Sequence, residues 1–376
     1  MSNSGGRELE RAAAKMFCVG FDGTTVTPNI RRLIGRGISG VILFGRNVES
    51  AEQVANLCAQ LKAAAGDRPL LICVDQEGGR VMRLREPFTI IPPMRAVGQA
   101  NDEKLTYELG KVLAVELRAI NIDQDLAPVL DVDTTPTNPV IGPRSLGPDP
   151  QLVSKLGVAL IKGLQDHGVA ACGKHFPGHG DTTQDSHHFL PTLPHDMQRM
   201  ERVELPPFQA AIAAGVASIM TAHVLFTQVD DKYPATLSHA VLDGLLRKRL
   251  NYDGVVMSDD MQMKAIADHY GFDEAIVRGA AAGVDLFWVC HSADLQNRAV
   301  DVLIKAVESG LLSRARLEQA NRRLDLLFQH YVKPGRRGKL PDTLGSPEHQ
   351  SVVQQLLKRV DSAAALHHAH DPTNFM

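Results

Sequence analysis

The sequence predicts an α/β protein built as a (β/α)8 TIM-type barrel with a short C-terminal helical extension. Two observations lead there. About eight short apolar runs alternate with longer segments whose apolar residues recur at helical spacing, the pattern of a parallel sheet with crossover helices. The polar residues able to do chemistry stand directly behind those runs, at the end of the strands where a barrel carries its active site. A doubly wound open sheet is the alternative. That fold carries a Gly-rich phosphate loop after its first strand, and residues 20–25, GFDGTT, are not one.

The elements follow in order. Residues 17–23 (FCVGFDG) are the first run, and 40–47 (GVILFGRN) the second, leading into a helix over 50–65. Residues 69–79 (PLLICVDQEGG) precede a helix over 106–120, and 122–133 (IDQDLAPVLDVD) precede one over 150–168. Residues 169–180 (VAACGKHFPGHG), 217–224 (ASIMTAHV), 254–261 (GVVMSDDM) and 284–290 (VDLFWVC) complete the set, with helices over 205–215, 238–250, 273–283 and 293–310. Near-continuous apolar runs suit strands buried on both faces. Residues 1–332 are therefore expected to form the barrel domain. Residues 333–376 are expected to form a linker (KPGRRGK), one helix and a frayed tail.

The chain has 376 residues, 44% of them hydrophobic and 22% charged, enough for one large α/β domain or two medium ones. Its net charge of −3 argues against nucleic acid or an anionic membrane as partner. The first residues hold no apolar leader, and no run reaches the length of a membrane span. The 5 cysteines are odd in number, form no CxxC pair and lie mostly in apolar runs. They read as reduced core thiols, so a cytoplasmic location is expected. Nothing here fixes an oligomeric state.

Residues 174–191, KHFPGHGDTTQDSHHFLP, crowd His175, His179, His187 and His188 onto a loop with Asp181 and Asp185. A metal site, an acid/base pair and a plain polar loop compete. His175 and His179 cannot share a helix face, because Pro177 and Gly178 lie between them, and no third ligand is evident. No metal and no cofactor is expected. Asp185 and His187, two residues apart with small Ser186 between them, can pair in a turn so that the carboxylate fixes the imidazole tautomer and raises its basicity. A second candidate is Asp259, immediately behind an apolar run and suited to a nucleophile. Asp260 is its rival. Side chains alternate along a strand, so only one of the two is expected to face the site. Behind other runs stand Asp75, Glu77 and Arg80, then Asp131, Lys174 with His175, and His223.

The strings KHFPGHGDTTQDSH, VVMSDDMQM, VDQEGGRVMRL and VIGPRSLG, in this order-preserving set over roughly residues 17–331, resemble the glycoside hydrolase family 3 β-N-acetylhexosaminidases of the NagZ type. The resemblance implies Asp259 as nucleophile, His187 as acid/base and Asp185 as the residue that orients it. It implies Asp75, Arg83, Arg144, Lys174 and His175 as sugar-binding residues. Leu146 and Met261 stand where the family commonly has Phe and Leu, apolar exchanges that spare the chemistry. The substrate implied is a small saccharide, a terminal β-linked N-acetylglucosamine such as that of muropeptides, hydrolysed with retention through a glycosyl-enzyme. A phosphorylase using the same residues and a non-catalytic sugar-binding barrel are the alternatives.

Overall fold

The computed structural model describes residues 3–135, 137–183, 185–186, 189–335, 340 and 342–360. Eight strands form a closed barrel: β1 (Phe17–Val19), β2 (Gly40–Leu43), β3 (Leu71–Val74), β4 (Gln124–Asp125), β5 (Ala170–Phe176), β6 (Ser218–Thr221), β7 (Val255–Asp260) and β8 (Leu286–Val289). Each pairs in parallel with its sequence neighbours, and β8 closes on β1 through Phe17 opposite Phe287. The expected barrel is thus the observed one. Apart from the polar β4, the strands are built on short apolar runs because their inner face meets the lumen and their outer face meets helices.

The lumen is filled by Cys18, Cys73, Cys172, Met220, Met257 and Trp288, packed together as one cluster. A larger apolar layer lies between the barrel and its helices. Those helices begin where the sequence supplies caps. Ser50 caps Ala51–Ala64, Asp102 caps Glu103–Ala119, Asp149 caps Pro150–Asp166 and Ser292 caps Ala293–Glu308, each side chain accepting a first-turn N–H. All five cysteines are buried free thiols.

Polar groups are not confined to the C-terminal ends of the strands. At the opposite rim, buried Asp123 meets Lys62 at 2.6 Å and Arg118 at 2.7 Å. Buried Asp285 meets Arg247 at 2.6 Å and Arg316 at 2.8 Å. These pairs tie helices to the bottom of the barrel, where barrels carry stability rather than chemistry.

Several described helices lie outside the strand–helix alternation, and two of them bear on the expected domain layout. Asn3–Ala14, which the sequence analysis did not assign, buries Leu9, Ala13 and Ala14. Pro347–Leu357 is the expected extension helix, and it buries Val353 and Leu356. Its start is fastened to buried Glu116, which accepts from Gly345 N at 2.9 Å and pairs with His349 Nδ1 at 2.8 Å while holding Thr89. The tail, 361–376, and most of the predicted linker, 336–339 and 341, lie outside the described residues.

Candidate active site

The site is assembled at the C-terminal ends of the strands. Asp75 follows β3, and the chain then turns back through a short hairpin, Gln76–Gly78 against Val81–Met82. Gly78 and Gly79 take positive φ there, and a Cβ on Gly78 would stand 2.6 Å from Pro92 O, so the turn needs glycine. Gln76 fixes the return strand: its Oε1 accepts from Arg83 N and Leu84 N, and its Nε2 donates to Leu84 O. Arg83 is thereby brought beside Asp75, 3.5 Å away.

A chain of alternating charges runs on from this pair. Lys174, on β5, donates to Asp75 at 2.8 Å and meets Glu77 at 2.6 Å. Arg144, at the end of the short Gly142–Arg144 turn, grips Glu77 with two parallel bonds of 2.8 Å. Burial pushes Glu77 towards its neutral form. Arg144 and Lys174 outweigh it and hold the carboxyl well below the usual range. Glu77 is therefore a fixed anion, unsuited to proton transfer. Arg144 spends Nε, one N–H of Nη2 and one of Nη1 on Glu77 and Val140 O, which leaves one N–H on each terminal nitrogen for a ligand.

His175 is set by a residue to which the sequence analysis gave no role. Asp131, fully buried, meets His175 Nδ1 at 2.7 Å and also accepts the backbone N–H groups of His175 and His179. Burial opposes its charge, but His175 opposite it holds the carboxyl below its ordinary value. With Nδ1 so engaged, Nε2 is the nitrogen left to a ligand. The available signal was the strand-end Asp of PVLDVD facing the strand-end His of GKH across neighbouring strands.

Asp259 and Asp260 correct the simple alternation expected of them. The β7–β8 register shifts between Met257 and Asp260, and both carboxylates line the same cavity. They differ in what holds them. Asp260 Oδ1 accepts from Gln262 N at 3.2 Å and Cys290 N at 3.3 Å, and Oδ2 lies 3.0 Å from His291 Nε2. Asp259 is less enclosed and accepts its neighbour's backbone N–H at 2.8 Å. His223 donates to the Asp260 carbonyl at 3.0 Å and pairs with Thr236 at 2.8 Å, which makes it a brace for β7.

Asp75, Arg83, Arg144, Lys174, His175 and Asp259 thus converge on one cavity of about 680 Å³ including its mouth. Its floor is apolar, from Ile42, Leu126 and Met220 with Trp288, and Phe44 and His291 stand at one side. Neither His291 nor Trp288 was singled out from the sequence. Trp288 lies inside the last apolar run, and His291 directly follows it. Asp185 is half-buried, and its carbonyl accepts from Phe189 N at 2.9 Å, while His187 lies outside the described residues. Among the described residues, no group of three or more His, Cys, Asp and Glu side chains could hold a metal ion.

Asp125, at the end of β4, carries a pH signature. Its Oδ1 accepts from Gln76 N at 3.0 Å, and among the described residues Oδ2 has no hydrogen-bond partner. Burial, with the carboxylates of Asp75 and Glu77, pushes its acid up to about 8 against the pull of Gln76 and Lys174. The retained proton stabilises the native state fully below the ordinary value of 3.8, and that contribution is lost as the pH rises towards about 8. Asp125→Asn mimics the neutral form. Its Tm is expected to match the parent at pH 4 and to exceed it at pH 8. A difference independent of pH would contradict a buried neutral acid.

The profile of the glycosyl hydrolase family 3 N-terminal domain matches residues 16–327. The chain belongs to glycoside hydrolase family 3. Within it, the β-hexosaminidase of Thiobacillus denitrificans is 39% identical over 345 residues, covering 90% of this chain and 88% of that protein. Among solved structures, a family 3 β-N-acetylglucosaminidase from Paenibacillus sp. superposes with a TM-score of 0.91 at 44% identity, over 94% of this chain and 68% of that one. NagZ from Neisseria gonorrhoeae, in complex with N-trifluoroacetyl-D-glucosamine, gives 0.75 at 33% identity, over 92% and 98%. This family 3 barrel is a NagZ-type β-N-acetylhexosaminidase, as its motifs imply.

Proposed function

We propose that the enzyme is a retaining exo-β-N-acetylglucosaminidase that works through a glycosyl-enzyme. The observation that carries this is the convergence of Asp259 with Asp75, Arg83, Arg144, Lys174 and His175 on one cavity. The fixed cations and anions offer donors and acceptors to sugar hydroxyls, and His175 offers Nε2. Asp259 attacks the anomeric carbon. His187, oriented by Asp185, protonates the departing oxygen and then takes a proton from the incoming water. The N-acyl glucosamine bound by gonococcal NagZ supports N-acetylglucosamine as the sugar in this cavity. Kinship with NagZ-type enzymes supports muropeptides in the cytosol as the source. Among the described residues, no helix is long and apolar enough to cross a membrane.

The test is product analysis by NMR on a β-N-acetylglucosaminide, with and without added phosphate. Free N-acetylglucosamine, formed first as the β anomer under both conditions, is expected. Sugar 1-phosphate would make the enzyme a phosphorylase, the α anomer would exclude the glycosyl-enzyme, and binding without turnover would leave a sugar-binding barrel.

A further inference from the structure

His179 lies in the cavity wall between the sugar-binding residues and the catalytic loop, and the acid/base reading gives it no task. It is fully enclosed, and its ring packs edge-on to His175 with 5.9 Å between centroids. Its backbone N–H goes to Asp131 at 2.7 Å, the carboxylate that also fixes His175. Its carbonyl accepts from Asn138 Nδ2 at 2.9 Å. Its two ring nitrogens face two hydroxyls, Nδ1 to Thr182 Oγ1 at 2.7 Å and Nε2 to Ser186 Oγ at 2.9 Å.

One arrangement of protons satisfies all of these bonds at once. Thr182 Oγ1 donates its single hydrogen to the His179 carbonyl at 3.1 Å. It can then only accept from the ring, so Nδ1 carries the hydrogen. Burial, reinforced by His175 nearby, pushes the His179 ring down to about 4, so at neutral pH it holds one ring proton. Nε2 is consequently an acceptor, and Ser186 Oγ–H donates to it. Ser186 is itself buried and stands between Asp185 and His187 in the sequence.

The root of the loop is also fixed. Asp181 accepts from Thr134 and Thr135 at 2.9 and 2.5 Å and meets His195 at 3.0 Å. A Cβ on Gly180 would stand 1.8 Å from Val132 O, so only glycine lets the loop lie this close to the end of β4's run. Beyond that root, the bond from Ser186 returns the chain to the wall that holds the sugar.

We propose that His179 and Ser186 are a positioning pair that holds the segment between Asp185 and His187 against the sugar-binding wall, so that Asp131 supports His175 and the catalytic loop together. The inference rests on the acid/base role assigned to His187. A positioning loss must show itself where the proton matters. Ser186→Ala removes the donor and changes little else. Its kcat/KM is expected to fall about tenfold to a hundredfold on an unactivated β-linked disaccharide, with a much smaller loss on a nitrophenyl glycoside, which needs little protonation. Ser186→Thr keeps the hydroxyl and should restore the disaccharide activity. His187→Ala, measured alongside, separates the two claims. If His187→Ala is steeply leaving-group dependent while Ser186→Ala loses both substrates equally or neither, the positioning pair is overturned. If His187→Ala is itself flat, the acid/base role fails first and the inference falls with it.

Discussion

Asp259→Ala is expected to abolish turnover, a loss on the order of 10⁴-fold or more, because nothing else can accept the glycosyl group. The fold should survive. The substitution removes an acceptor for the Asp260 N–H on a partly open strand end, worth about 1 kcal/mol. Asp260→Ala should behave differently. It strips the acceptor from the backbone N–H groups of Gln262 and Cys290 and from the side of His291, inside the barrel. A stability loss of about 1–3 kcal/mol with partial activity is expected. Thermal unfolding and kcat/KM of the two variants, measured together, distinguish the roles.

The second large effect belongs to His187→Ala. A nitrophenolate leaves with little protonation, so formation of the glycosyl-enzyme should persist on a nitrophenyl glycoside. A sugar leaving group needs the proton, and turnover of a disaccharide should fall by about 10²–10⁴-fold. Without a base for water, the glycosyl-enzyme should accumulate. Azide, which needs no base, should restore turnover and yield the β-glycosyl azide. Asp185→Asn should show a milder form of the same pattern, since the imidazole remains but loses its orienting charge. It should also lower the pKa that governs the acidic-to-neutral limb of the rate profile, because a nearby carboxylate favours the imidazolium. Equal losses on both substrates with no response to azide would move the acid/base elsewhere. Glu77 is a poor alternative, since Arg144 and Lys174 keep it ionised, and His223 is committed to Asp260 and Thr236.

The barrel was legible because its strands are short apolar runs and its helices carry caps, both local properties of the chain. The residues proposed to bind the sugar were picked out by resemblance, and their convergence on one cavity follows from their common position behind the strands. What could not be read was pairing between distant segments. Nothing in the sequence says that Glu77 is gripped by Arg144 and Lys174, or that Asp131 faces His175. The alternation rule failed at Asp259 and Asp260 because β7 slips its register against β8 just there, a feature of the pairing between strands. The N-terminal helix was missed because it precedes the first strand and has no place in the strand–helix alternation. The charged rim below the barrel, Asp123 and Asp285 with their cations, shows that a polar residue beside a strand is informative only once its end of the strand is known.

The most direct test of the account is covalent trapping. A fluorinated N-acetylglucosaminyl substrate with a good leaving group slows hydrolysis of the glycosyl-enzyme more than its formation. Proteolysis and mass spectrometry of the inactivated enzyme then locate the sugar. One adduct per chain, on Asp259 and absent from Asp259→Ala, is the predicted result. An adduct on Asp260 would reverse the assignment of the two aspartates, and inactivation without any covalent sugar would contradict the glycosyl-enzyme itself.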